Sequence, residues 1–199
     1  MIAEGFLNYG ATVYITSRKA DACLETVAEL SKYGDIRAIP MDVSTVAGVK
    51  SLYSTFSQKE FKLDILVNNA GAAWGWQFDT FPESGWDKVI NLNLKAPFFL
   101  MQAFAPLLRA AGTSDRLAKV INITSVDGFM VNPLETYSYG ASKAGLVHMT
   151  KRMTLRLSKD NIAVSVLNRA RCIRFGNEQS CEGRDRKKCQ SGSSKENWT

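Results

Sequence analysis

Five short apolar runs punctuate this chain, with segments of helical spacing between them, and that alternation limits its fold more than any other feature. The runs are ATVYITS (11–17), IRAIPMDVS (36–44), LDILVNNAG (63–71), AKVINITS (118–125) and IAVSVL (162–167). Ala22, Leu24, Val27, Ala28 and Leu30 predict a helix over 20–34, with Gly34 as its stop. Further helices are predicted over 45–59, from Trp86 to Ala111 with bends near Pro97 and Pro106, and over 139–160. Strands alternating with helices of this length imply right-handed crossovers and a parallel sheet covered on both faces. The strands are continuous apolar runs, as strands buried on both faces are. The predicted fold is α/β, a doubly wound parallel sheet of Rossmann type.

Both ends depart from that pattern. A dinucleotide-binding sheet of this type opens with a strand, a Gly-rich turn and a helix N-terminus that holds the pyrophosphate. Here the sequence opens inside what reads as that helix: IAEGFLNYG supplies its last turns and Gly10 its stop. The expectation is a sheet without its first strand and Gly-rich loop, roughly 15–25 residues by typical element lengths. After VSVL the apolar pattern stops, so the last strand is expected to be absent too. Residues 1–167 are read as a partial dinucleotide-binding domain and 168–199 as a basic, disordered tail. We read that tail as a shifted-frame or intron-derived product. The alternative is a genuine basic tail for nucleic acid or an anionic membrane, but no aromatic interleaving or amphipathic stretch accompanies its charge.

Composition supports the division. At 199 residues the chain can build one sizeable core, and 45% apolar with 22% charged residues is ordinary globular usage. The net charge of +6 is unevenly placed: residues 1–168 carry 17 Lys+Arg against 15 Asp+Glu, while the last 31 residues carry 8 against 4. Three of the four cysteines (Cys172, Cys181, Cys189) also fall there, and no CxxC pair suggests a disulfide framework or a metal site. No apolar run approaches the ~20 residues of a membrane span, and the N-terminus does not read as a secretory signal. A cytoplasmic setting is the default expectation, with no nucleic-acid and no membrane partner.

The stretch YSYGASKAG (137–145) carries the most chemistry. Residues four apart on a helix share a face, so Tyr139 and Lys143 lie together while Tyr137 points elsewhere. An ammonium beside a phenol stabilises its phenolate and lowers its pKa. Gly140, Ala141 and Ser142 are small enough to admit a flat ligand, and Ser125 ends the preceding strand. This suggests a polarised carbonyl, with Ser125 orienting it and Tyr139 giving or taking a proton. A YxxxK pair alone, a very common pattern, would read as a helix start with an exposed tyrosine and a solvated lysine.

It does not stand alone. NNAG (68–71), NLNLK (91–95), ITS (123–125) and YGASK (139–143), in that order and spacing, resemble the short-chain dehydrogenase/reductase family over about residues 1–167. With YITSRKADACLETVAELSKYG they look closest to members of the 3-oxoacyl-acyl-carrier-protein reductase-like, rhamnolipid-synthesis type. The resemblance implies that Tyr139 is the general acid/base and Lys143 its partner, also holding the nicotinamide ribose. It implies that Ser125 orients the carbonyl and that Asn93 holds a water linking Lys143 to solvent. Asn69, Ala70 and Gly71 would line the adenosine side of the cofactor and brace the sheet. The family normally continues past the last of these strands with a Pro-Gly turn and a Thr-bearing loop, which residues 168–199 lack.

Cofactor choice rests on the end of the second strand, where a carboxylate favours NAD and an Arg favours the 2′-phosphate of NADP. Ser17-Arg18-Lys19 stand there with no carboxylate after the strand until Asp21, so NADP(H) is expected over NAD(H). Asp42-Val43 resembles the pair that meets the adenine amine, although Asp42 could equally be the N-terminal cap of the next turn. Trp74, Trp76, Phe78, Phe129 and Met130 follow strand ends and suggest either an apolar substrate pocket or the cover of a helix end or subunit contact. His148 is read as structural. The expected function is NADP(H)-dependent interconversion of a ketone and a secondary alcohol, 3-oxoacyl reductase-like. The rival is a non-catalytic remnant or binding scaffold of the same fold. Pairing of helices 97–111 and 139–159 into homo-oligomers is expected by resemblance.

Overall fold

The computed structural model describes residues 2–169. Helix α1 (Ile2–Asn8) closes with the amides of Gly10 and Ala11 donating to the carbonyls of Leu7 and Phe6, and Gly10 takes φ +77°, a conformation that only glycine adopts without strain. Strand β1 (Val13–Ile15) follows, then α2 (Ala20–Leu30), β2 (Ile36–Ala38) and α3 (Val46–Ser57). After β3 (Ile65–Asn68), helices α4 (Glu83–Ile90) and α5 (Ala96–Ala111) are joined by a π-helical turn at Asn91–Lys95. Strand β4 (Ala118–Ser125), helix α6 (Tyr137–Leu157) and strand β5 (Ile162–Arg169) complete the described residues.

Among the described residues all strand pairings are parallel, and they form two sheets, β1-β2 and β3-β4-β5. The first pairing outlasts its short strands: the Ile39 amide donates to Ile15 O and the Met41 amide to Ser17 O, both at 3.0 Å. That extension sets Ser17 beside the segment leading into Asp42. Within β1, alternate side chains face opposite layers. Val13 and Ile15 pack with Leu7, Leu30 and Ile36 under α1 and α2, whereas Tyr14 turns to the larger core of α3, α5, α6, β4 and β5. An edge-to-face series runs from Tyr14 through Phe56 to Phe104, with ring centroids 4.8 and 5.5 Å apart, and so links β1 to α3 and α5. Helices therefore cover both faces of a parallel sheet, as the alternation predicts.

Several local expectations are corrected. Pro106 lies inside α5 on its exposed side, as does Gln102, whose carbonyl finds no proline N–H to accept from. The irregularity near Pro97 is the π turn just before it. Helix α6 begins at Tyr137, two residues earlier than the spacing predicts, and ends at Leu157. Asp42 caps the turn that follows it, its Oδ1 accepting from the Ser44 amide at 2.9 Å, and Thr45 caps α3, its Oγ1 accepting from the Gly48 amide at 3.0 Å. Strand β5 continues through Asn168 and Arg169, pairing with Thr124 and Ser125, and so passes the expected boundary at 167. The rest of the 168–199 reading lies outside the described residues.

Candidate functional site

The C-terminal ends of the parallel strands and the start of α6 meet at one end of the sheet. Lys143 is only 5% exposed, and its Nζ donates to the Ile123 carbonyl of β4 at 2.9 Å. The Thr124 hydroxyl donates back to Lys143 O at 3.3 Å, so helix and strand are tied at adjacent positions. Burial alone lowers the Lys143 pKa to about 8. Its ammonium lies 5.6 Å from the centroid of the Tyr139 ring. Tyr137 is engaged elsewhere: its hydroxyl donates to Glu135 Oε1 at 3.2 Å and its ring meets Phe78 and Phe81 edge to face. Gly128 lets the turn after Ser125 lie against α6, because a Cβ there would stand 3.0 Å from the Lys143 carbonyl.

Asn93 is the inward residue of the π turn and is 1% exposed. Its Oδ1 accepts from the Ala72 amide at 2.8 Å, and its Nδ2 donates to Ala72 O at 2.8 Å and to Ser142 Oγ at 3.1 Å. Ser142 in turn donates to Tyr139 O at 2.7 Å. The side-chain amide thus holds the turn after NNAG against the first turn of α6. Gly71 closes that junction: a Cβ there would approach Asn93 Oδ1 to 3.4 Å and Lys143 Nζ to 3.8 Å. Deeper in, Asn68 Nδ2 donates to Asn122 Oδ1 at 2.7 Å, and Asn122 Nδ2 to Thr150 Oγ1 at 2.9 Å, a buried polar ladder from β3 to α6. Asn122 and Thr150 carry no motif and were not singled out from sequence.

The expected cofactor half lies across β1 and β2. Ser17, Arg18 and Asp42 are exposed, and Val43 is buried in the core, leaving its main chain for any ligand contact. The Asp42 carboxyl is held below the usual carboxylate range by hydrogen bonds from the Ser44 hydroxyl and amide, with Arg18 adding a Coulombic pull. Arg18 and Asp42 are therefore close enough to act on one another. Asn69, Ala70 and Gly71 are exposed beside this end of the sheet.

The aromatic residues divide between the two readings left open. Trp74 lies against helix α4, where a Cβ on Gly85 would come within 2.6 Å of its Nε1, and Lys88 Nζ stands 4.9 Å from its ring centroid. Trp76 and Phe78 are exposed, and their segment is stitched to the one before α6 by the amides of Trp76 and Phe78, which donate to Glu135 O and Glu135 Oε1. Phe129 and Met130 are exposed on that second segment, and His148 is exposed on α6. Among the described residues no group of three His, Cys, Asp or Glu could hold a metal ion, and no helix is long and apolar enough to cross a membrane.

A parallel sheet with helices on both faces and a tyrosine–lysine pair at its C-terminal end define a dehydrogenase-type dinucleotide fold. The short-chain dehydrogenase family model matches residues 1–172, and the chain belongs to that family. It is 42% identical over 167 residues to the rhamnolipids biosynthesis 3-oxoacyl-acyl-carrier-protein reductase of Pseudomonas aeruginosa, an alignment covering 84% of this chain and 65% of that protein. It is 32% identical over 165 residues to the 3-oxoacyl-acyl-carrier-protein reductase FabG of Thermotoga maritima, covering 81% and 64%. Among solved structures, the Pseudomonas aeruginosa RhlG/NADP active-site complex superposes with a TM-score of 0.81 at 42% identity, covering 83% of this chain and 64% of that one. An NADH-dependent reductase of alginate metabolism, A1-R′, superposes at 0.78 with 25% identity, covering 83% and 69%. The chain thus spans about two thirds of the length of these relatives.

Proposed function

We propose that this chain is an NADP(H)-dependent oxidoreductase that interconverts a ketone and a secondary alcohol, with 3-oxoacyl thioesters as the substrate class. The observation that carries the reading is Lys143: a lysine buried with no carboxylate to neutralise it among the described residues, bonded to Ile123 O and set 5.6 Å from the Tyr139 ring. Burying an ammonium costs stability, so such an arrangement marks a site kept for chemistry. Arg18 and Ser17 would meet the 2′-phosphate, Asp42 and Val43 the adenine edge, Asn69 to Gly71 the adenosine, and Lys143 the nicotinamide ribose. The exposed Arg18 and the absence of a carboxylate between β1 and Asp21 favour NADP(H), although relatives of both cofactor types superpose on the chain. When bound, the nicotinamide supplies or accepts the hydride.

In the reducing direction Ser125 hydrogen-bonds the substrate oxygen, and the Tyr139 hydroxyl delivers its proton there as charge develops. The Lys143 ammonium stabilises the phenolate that remains. Asn93 keeps the 71–72 turn and the first turn of α6 in register, and a water beside it would return a proton from solvent to Lys143. Exposed Trp76, Phe78, Phe129 and Met130 would receive the apolar part of the substrate.

The test is Tyr139→Phe. It should lower NADPH-dependent reduction of acetoacetyl-coenzyme A by at least a thousandfold while NADPH binding, read by fluorescence titration, stays within about threefold. Near-normal turnover in that variant overturns the role of Tyr139. NADPH binding without turnover in the unaltered chain selects a binding scaffold instead.

A further inference from the structure

The loop after β4 reads SVDGFMVNPLE from 125 to 135, and its second polar residue carries an arrangement that no motif announces. Ser125 Oγ donates to Asp127 Oδ2 at 3.2 Å and accepts from the Asp127 amide at 3.3 Å. The other carboxylate oxygen, Oδ1, accepts from Asn132 Nδ2 at 2.6 Å, and Asn132 Oδ1 accepts from the Leu134 amide at 2.7 Å. The series Leu134–Asn132–Asp127–Ser125 spans the whole loop between β4 and α6. Its terminus is the hydroxyl that the proposed function places on the substrate oxygen. Between Asp127 and Asn132 the side chains of Phe129, Met130 and Val131 are exposed, Val131 completely, while the Phe129 and Met130 amides donate to Val126 O.

A serine hydroxyl has one proton. While that proton points at the Asp127 carboxylate, it is not available to a substrate carbonyl. A charge-assisted bond to a carboxylate is stronger than one to a neutral ketone, but comparable with one to an alkoxide. The competition therefore falls mainly on the bound ketone and fades as negative charge grows on its oxygen. An interaction gained only in the transition state raises turnover without tightening ground-state binding.

Resting on the proposed function, we infer that Asp127 is a positioning residue that holds the Ser125 proton between turnovers and yields it to the substrate oxygen as that oxygen becomes anionic, with Asn132 fixing Asp127 in place. No covalent bond changes in this step; the Ser125 O–H turns from one acceptor to another.

The experiment is a double-mutant cycle on the full chain, with acetoacetyl-coenzyme A and NADPH. Asp127→Asn keeps the shape and removes the charge, so the ketone gains the Ser125 hydrogen bond without competition. Its KM should fall about fivefold, the value of one ordinary net hydrogen bond, with the KM for NADPH unchanged. In a Ser125→Ala background the same substitution should have no effect on the ketone KM. An unchanged or raised KM, or an equal effect in both backgrounds, overturns the inference. Wild-type turnover in Ser125→Ala alone overturns the underlying functional reading instead. A second measurement does not need turnover: amide exchange followed by NMR in Asn132→Ala. Exchange should quicken at least tenfold at Asp127, whose amide bonds Ser125 Oγ, as well as at Leu134. Faster exchange confined to Leu134 overturns the inference whether or not the chain is active.

Discussion

Lys143 carries two pH effects of opposite sign. Burial lowers its pKa from 10.5 to about 8, so between those values the unfolded chain binds more protons than the folded one. The stability contributed by this group therefore rises with pH across that window. In the proposed mechanism carbonyl reduction draws on the ammonium beside Tyr139, so it should instead be full below about pH 8 and decline above it. The pH profile of kcat/KM for NADPH-dependent reduction measures the limb, and Lys143→Arg, which stays charged, should remove it from whatever activity remains. The pairing of Tyr139 with Lys143 is legible in the sequence because helical spacing alone puts them on one face. Asp127 and Asn132 are not, because their contacts depend on an irregular loop with no period to read. The same holds for Glu135, whose carboxylate joins Phe78 and Tyr137 across 57 and 2 residues of sequence.

At the scale of elements, apolar runs located all five strands of the described residues, since burial on both faces leaves an unmistakable composition. Helix ends were harder to read, because they depend on which nearby group satisfies the last amides. Asp42 and Thr45 are both good capping residues, and only the fold decides that Thr45 takes the Gly48 amide while Asp42 closes a turn on Ser44. That turn packs directly on α3, for a Cβ at Gly48 would collide with the Asp42 carbonyl. Glycine to alanine inside a helix ordinarily stabilises by up to about 1 kcal/mol. Here Gly48→Ala should instead destabilise by about 1–3 kcal/mol through overpacking, read from the urea midpoint. A stabilised variant would show that the turn can move away freely.

For the whole molecule, sheets β1-β2 and β3-β4-β5 share no main-chain hydrogen bonds among the described residues. Side-chain packing joins them, above all the series Tyr14–Phe56–Phe104, each pair worth about 0.5–1.5 kcal/mol beyond its buried area. Phe56→Ala should cost about 3–5 kcal/mol and let the β1-β2 layer open first. Amide exchange should then be faster at Tyr14 and Arg37 than at Val120, whereas uniform acceleration would mean that the layers still open together. Which strands pair was only partly legible in the sequence: the parallel crossovers follow from the alternation, but the division into two hydrogen-bonded groups does not.

The π turn at Asn91–Lys95 amounts to one residue more than an α-helix of the same length would use. Removing a single codon there would leave the helical register intact on each side and restore regular winding between them. The helices on either side would keep their facing, because five residues wound as a π turn advance about as far around the axis as four wound as α. Val89 would stay buried, while Asn93 would lose its place opposite Ala72 and Ser142. The extra residue therefore belongs to the junction with α6 and not to the packing of the core.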